Sequence, residues 1–348
     1  MTGEIREVGE MKSGATEQTP PRKPWYGSLG AILAALRQMG WSTEFTLLAV
    51  NLFIILVMSI VTDTFFSAYN IGNLFKQASI TGIIAISSTI VIISGGIDLS
   101  VGSLTGLTAM VAAVTMSSDR MHMPIVPALL ITLAVGTSVG VYHGFIIHEV
   151  RLPPFIATLG SMIVLSGVVK LVSQAQTISR LPTAFTGFAE AAPLGIPTLV
   201  IAWLFVAVIG HFILRYTRFG RNVYVIGSSP EVARLSGIRM RLNIYGIYLL
   251  AAFLCAFAGI ILTSRLAAAV PTGGSGYVFP AISAAVIGGA SLSGAKGSVA
   301  GTVLATFLMT LISNAGIHLE IDPFVMDIVT GALLTVAVVI DQLRQRRS

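Results

Sequence analysis

The side chains able to do chemistry are few here, and their spacing argues against catalysis. Five histidines (His122, His143, His148, His211, His318) are scattered along the chain. His143 and His148 stand five apart, so on a helix they fall on different faces. No Ser/His/Asp arrangement and no metal-ligand spacing emerges. Cys255 is the one cysteine and lies in an apolar run, which excludes an internal disulfide and reads as a small buried hydrophobe. The stretch Gly294–Ser298, GAKGS, is not a phosphate loop. That motif needs Gly-Lys followed directly by Ser or Thr, after a strand. The chain therefore offers no nucleotide site, no cofactor site and no catalytic set.

Two polar glycine-rich motifs remain. Ser94–Ser103 reads SGGIDLSVGS. Gly95 and Gly96 should break one helix, and Asp98 or Ser100 can cap the next. Gly288–Ser298 reads GGASLSGAKGS, with Ser291 and Lys296 at its polar positions. It echoes the first motif and falls at the same membrane face in the topology below. A cap or a cytoplasmic gate are both open for Asp98 and its neighbours. An ion-coupled secondary transporter with Asp98 as proton site is the alternative. It needs an acid buried mid-membrane with a partner, at about 2.5–3.5 kcal/mol on insertion scales. The charge-based topology instead puts Asp98 near the cytoplasmic edge.

These motifs must be positioned by membrane helices. The chain has 348 residues, 54% hydrophobic and only 10% charged, against roughly 25% charged in soluble domains. The fold class is all-α, a polytopic membrane protein with about ten transmembrane helices. The apolar segments run Phe45–Val61, Leu74–Ser94, Ser100–Met116, Ile125–Ile147, Pro154–Val172, Ile196–Leu214, Ile244–Thr263, Val278–Gly289, Gly297–Ile317 and Pro323–Ile340. Val278–Gly289 is short but is counted as a crossing, because only then does the basic carboxyl end fall on the basic side. With both termini cytoplasmic, Arg151, Lys296, the central arginines and the basic residues of both tails lie inside. Arg120, Arg180 and Arg265 lie outside, and Lys76 and Lys170 snorkel at outer helix ends. Basic charge thus reflects orientation in a plasma membrane and its lipid, not nucleic-acid binding. Residues 1–43 form a polar cytoplasmic tail in which Tyr26–Met39 has the spacing of a surface helix. Residues 44–342 form the membrane domain, and 343–348 a short cytoplasmic tail.

The central loop Arg215–Arg241 carries six arginines and one acid, Glu231. Ser228-Ser229-Pro230 reads as a helix start, with a serine cap and proline in the first turn. Glu231 suits the amino end of that helix, and Gly237 its stop. The loop should present a short helix along the membrane surface. Elsewhere, Gly136, Gly140 and Gly144 recur every four residues, as do Gly102/Gly106 and Gly297/Gly301, a spacing that lets helix backbones approach. The outer loop Ser173–Gly195 is the largest surface for an extracytoplasmic partner, or a plain connector.

Four blocks converge on a family: GGIDLSVGS (Gly95–Ser103), PFIATLGSM (Pro154–Met162), GRNVYVIGSSPEVARLSGI (Gly220–Ile238), and PTGGSGY with GGASLSGAKGSVAGT (Pro271–Tyr277, Gly288–Thr302). With the helix pattern they cover nearly all of residues 45–342. The chain resembles the membrane permease subunit of ribose-type sugar ABC importers. The resemblance implies a fold like that of the vitamin B12-type importer permeases. It implies a second permease copy or homologue, cytoplasmic ATPase subunits and an extracytoplasmic sugar-binding protein. It implies a bacterial inner-membrane protein that moves a monosaccharide or related polyol and is not itself an enzyme. The family's coupling helix corresponds to Ser228–Gly237. That makes Arg221, Ser229, Glu231, Arg234, Leu235 and Gly237 the expected ATPase-coupling residues, and Gly95, Gly96, Asp98, Ser100, Ser291 and Lys296 the expected gate or cytoplasmic motif. Relatives usually carry acids just after the GSGY block, where this chain has Val278-Phe279-Pro280. Many carry arginine before the fifth-segment glycine, where this chain has Leu165-Ser166-Gly167.

Overall fold

A computed structural model describes residues 42–345, with side chains through Leu343. The Tyr26–Met39 surface helix and most of both tails lie outside the described residues. Within them the chain forms thirteen α-helices. Ten belong to the membrane domain: α1 (Thr43–Val61), α2 (Ala68–Ile93), α3 (Val101–Met116), α4 (Ile125–His148), α5 (Pro154–Ser173), α7 (Thr198–Tyr216), α10 (Met240–Leu266), α11 (Val278–Ile287), α12 (Val299–His318) and α13 (Pro323–Gln345). The others are α6 (Thr183–Glu190) in the far loop, and α8 (Arg218–Ser228) and α9 (Pro230–Leu235) at the arginine-rich end. Eight helices are long and apolar enough to cross a membrane, while α3 and α11 are shorter.

α2 and α10 form the centre. Ile80, Ile83, Ile84, Ile86 and Ile90 of α2 are fully buried. A β-branched run of this kind survives in a helix because packing, not propensity, decides there. α10 serves as a ruler for its neighbours. α4 runs antiparallel to it, with Gly136 against Ala256, Gly140 against Ala252 and Tyr248, and Gly144 against Tyr245. The four-residue glycine spacing is thus a helix contact. Gly102 and Gly106 likewise receive Gly274. Gly297 and Gly301 do not share a helix face: Gly297 precedes α12 in the loop with φ +149°, and only Gly301 is helical, packed on Gly288. The Ser298 side chain starts α12 by accepting from Gly301 N, which shifts the helix start past Gly297.

Two passes are discontinuous. α2 is antiparallel to α10, with Ser87 Oγ donating to Ala251 O at 3.0 Å. α3 is parallel to it, with Thr263 Oγ1 donating to Ala109 O at 3.0 Å. Stepping along these registers puts Ile93 near the start of α10 but Val101 near Cys255, halfway along. Residues 94–100 therefore climb about 15 Å inside the protein, at 1.5 Å of helix rise per residue of α10. At the far end, Ile178 and Ala269 exchange backbone hydrogen bonds (3.0 and 2.8 Å). The chain then descends to Gly274 beside Gly102 before α11 begins. α3 and α11 thus start side by side at mid-depth and run to opposite ends. Non-helical backbone at such depth is tolerated because protein surrounds it. Among the described residues the eight long apolar helices are joined by two shorter ones, α3 and α11, the second covering ten residues of the Val278–Gly289 segment.

Candidate functional site

The basic end is built on Thr217, whose hydroxyl accepts from Gly220 N at 3.1 Å and caps α8. α8 is fixed beneath by buried Val223 and Ile226. Asn222 Nδ2 donates to Asn243 Oδ1 of α10 (3.1 Å), and Tyr224 OH donates to Gly297 O (2.9 Å). Burial pushes the Tyr224 phenol above its ordinary range, against the opposing pull of Arg215, so the hydroxyl keeps its proton as donor.

α9 follows as the spacing predicts. Ser229 Oγ accepts from Val232 N at 3.3 Å, Pro230 is the first helical residue, and Glu231 lies in the first turn. The end is a Schellman motif: Gly237 N reaches Arg234 O and Ile238 N reaches Ala233 O, each at 3.0 Å. Gly237 has φ +75°, a conformation that side-chain-bearing residues resist. Ala233 is buried with Ile226 and Met240, while Ile238 packs alongside. The opposite face is bare: Leu235 is 83% exposed and Val232 54%, with Glu231, Arg234 and Arg221 also exposed. Among the described residues, the ion pairs are Arg241–Glu149 and Arg180–Asp119, so α9 takes part in neither.

The two glycine-rich motifs meet beneath α8. Ala295 N donates to Ile93 O at 2.8 Å. Gly95, with φ +82°, lies against Gly227 of α8, and Gly96 packs on Tyr248 and Val91. Ser291 N donates to Lys296 O (3.1 Å), and the Lys296 side chain is exposed. Asp98 and Ser100 stand apart from this group and deeper. Ile97 O accepts from Thr158 Oγ1 (3.0 Å) and Leu99 N donates to it (3.2 Å), one turn inside α5. This is farther in than the membrane edge expected for Asp98, because the chain climbs before α3 starts. Asp98 is 5% exposed. Its Oδ1 accepts from Ser100 N (2.8 Å) and Ser100 Oγ (2.7 Å). Asp98 therefore fixes the turn that leads into α3 through Ser100, and neither the Asp98 nor the Ser100 side chain makes a cap bond to the helix itself.

Sequence reasoning passed over four residues of this region: Tyr224, Gly227, Thr158 and Asp341. Asp341 of α13 accepts from Ser291 Oγ and Leu292 N, both at 3.1 Å. Gly227 alone left a signal. A glycine inside a helix costs about 1 kcal/mol relative to alanine and is retained where something packs close.

Residues 70–338 match the family described as the branched-chain amino acid transport system / permease component. The ribose import permease protein of Escherichia coli K12 is 35% identical over 315 residues, which is 88% of this chain and 95% of the relative. The ribose import permease protein of Bacillus subtilis 168 is 37% identical over 292 residues, covering 83% of this chain and 89% of the relative. The galactose/methyl galactoside import permease protein of Escherichia coli K12 is 35% identical over 315 residues, covering 86% and 94%. No solved structure matches the chain. With eight full-length apolar helices and import permeases as relatives over most of its length, the chain is a membrane permease and not an enzyme, and it belongs to the permease-component family of the branched-chain amino acid transport system.

Proposed function

We propose that this chain is the membrane-spanning subunit of an ATP-driven importer for a monosaccharide or related polyol. ATP is hydrolysed by separate cytoplasmic ABC subunits, sugar arrives on an extracytoplasmic binding protein, and a second permease copy or homologue completes the pore. Both termini lie in the cytoplasm of a bacterium. The observation that carries the reading is the bare apolar pair Leu235 and Val232 on a capped helix at the arginine-rich end. Exposed apolar residues outside the hydrocarbon, ringed by charge, suit a protein partner. Leu235 is the apolar anchor, with Glu231, Arg221 and Arg234 as polar contacts. Ser229 and Gly237 hold the helix ends. The sugar class is supported by the named relatives, described as import permeases for ribose and for galactose/methyl galactoside.

The test pairs Glu231→Lys with Gly237→Pro. Proline cannot adopt the positive φ of position 237, so the Schellman end is lost along with the acid. The double variant should release the ATPase from the purified complex and abolish uptake, while sugar capture by the binding protein is unchanged. Uptake retained at the wild-type level would remove α9 as the docking element.

A further inference from the structure

We infer that the last turn of α8, centred on Gly227, passes a displacement of α9 to both discontinuous passes at once. The inference rests on the docking role proposed for α9. Gly227 lies in a backbone junction that no side chain could share. A Cβ built on it would overlap Ile93 O and lie 2.7 Å from Ala295 N. A Cβ on Gly294 would lie 2.5 Å from Gly227 O, and one on Gly95 3.7 Å from Gly227 Cα. Ile93 and Ala295 are themselves joined by the 2.8 Å hydrogen bond between their backbones. One turn earlier on α8, Tyr224 OH holds Gly297 O at 2.9 Å.

Each strand of this junction leads to a half-helix. Ile93 and Gly95 open the climb of residues 94–100 that ends at α3. Gly294, Ala295 and Gly297 lie in the loop that leaves α11, and that loop also holds Asp341 of α13. Only Ser228 and Ser229 separate Gly227 from α9. Close backbone packing does not deform continuously, so a push on α9 moves the three strands together. Two further polar ties of α8, Asn222 to Asn243 of α10 and Arg221 to Tyr216 O of α7, go to continuous helices and would not move a half-helix alone. α3 and α11 start side by side at mid-depth, so a shift of their common base alters the middle of the membrane domain. Gly227 and Tyr224 are positioning residues: they act through the loops they hold.

The experiment reconstitutes the full chain with its ATPase and binding protein in liposomes and measures sugar moved per ATP hydrolysed. Two variants are compared, Tyr224→Phe and Gly227→Ala. Tyr224→Phe removes one hydrogen bond and no packing volume. Both variants should copurify with the ATPase and keep its basal hydrolysis. The sugar-to-ATP ratio should fall roughly fivefold for Tyr224→Phe, the effect expected of one lost hydrogen bond in the transmitting state, and further for Gly227→Ala. A wild-type ratio in Tyr224→Phe overturns the inference, as does a wild-type ratio in an assembled Gly227→Ala complex. If Gly227→Ala does not assemble, Tyr224→Phe decides by itself. Failure of the underlying reading has a different signature: the ATPase would stay attached and coupled in the Glu231→Lys, Gly237→Pro variant.

Discussion

Asp98 shows how a single carboxylate can be read two ways until its partners are known. In the sequence it is the acid best placed to carry a proton. In the structure its Oδ1 is committed to Ser100 N and Ser100 Oγ, and the loop around it is pinned by Thr158. A group used this way shapes the turn before a half-helix. Asp98→Asn keeps an oxygen acceptor and should leave uptake within about twofold of wild type. Asp98→Ala leaves a buried N–H and hydroxyl without their acceptor and should destabilise the protein by about 1–3 kcal/mol, read as a lower midpoint of thermal unfolding in detergent. Loss of uptake in Asp98→Asn with unchanged stability would revive the proton-carrier reading.

Among the elements, glycine decides which helices can touch. A Cβ on Gly140 would lie 2.6 Å from Tyr248 O and 2.8 Å from Ala252 Cβ, both on α10. Neither is a flexible side-chain tip that could move aside. Gly140→Ala should therefore push α4 off α10 and cost about 1–3 kcal/mol, the usual range for overpacking. Gly160 on α5 has nothing within 4 Å of a built Cβ. Gly160→Ala should be neutral or stabilise by up to about 1 kcal/mol through helix propensity. Parallel unfolding curves in detergent compare the two, and equal losses would mean that α4–α10 contact is not what Gly140 provides. The same packing explains the half-helices. α3 and α11 can start at mid-depth because Gly102, Gly106 and Gly274 let backbone meet backbone where lipid would otherwise leave polar groups unsatisfied.

At the scale of the whole molecule, the described helices put α8 and α9 at one end and the α6 loop at the other. Ser236 follows α9, and Leu194 in the far loop is fully exposed. Cys255 is buried, so it should stay silent to polar thiol reagents. Ser236→Cys should react with a membrane-impermeant maleimide only after cells are opened. Leu194→Cys should react in intact cells. The reverse pattern would invert the molecule and, with it, the side on which a motor could dock.

The sequence by itself determined the class, the capped helix α9 and the family blocks. These follow from composition, hydropathy, charge placement and local cap chemistry, all carried by neighbouring residues. Ser229, Pro230 and Gly237 do their work within a few positions of one another, so their roles were legible. Only the tertiary structure decided where Asp98 sits, that Gly297 is not helical, and that Gly227 is wedged between Ile93 and Ala295. The apolar runs at 100–116 and 278–289 carry no mark of the depth at which each helix begins. That depth is set by glycine contacts between segments far apart in the chain, and such contacts exist only once the backbones have packed.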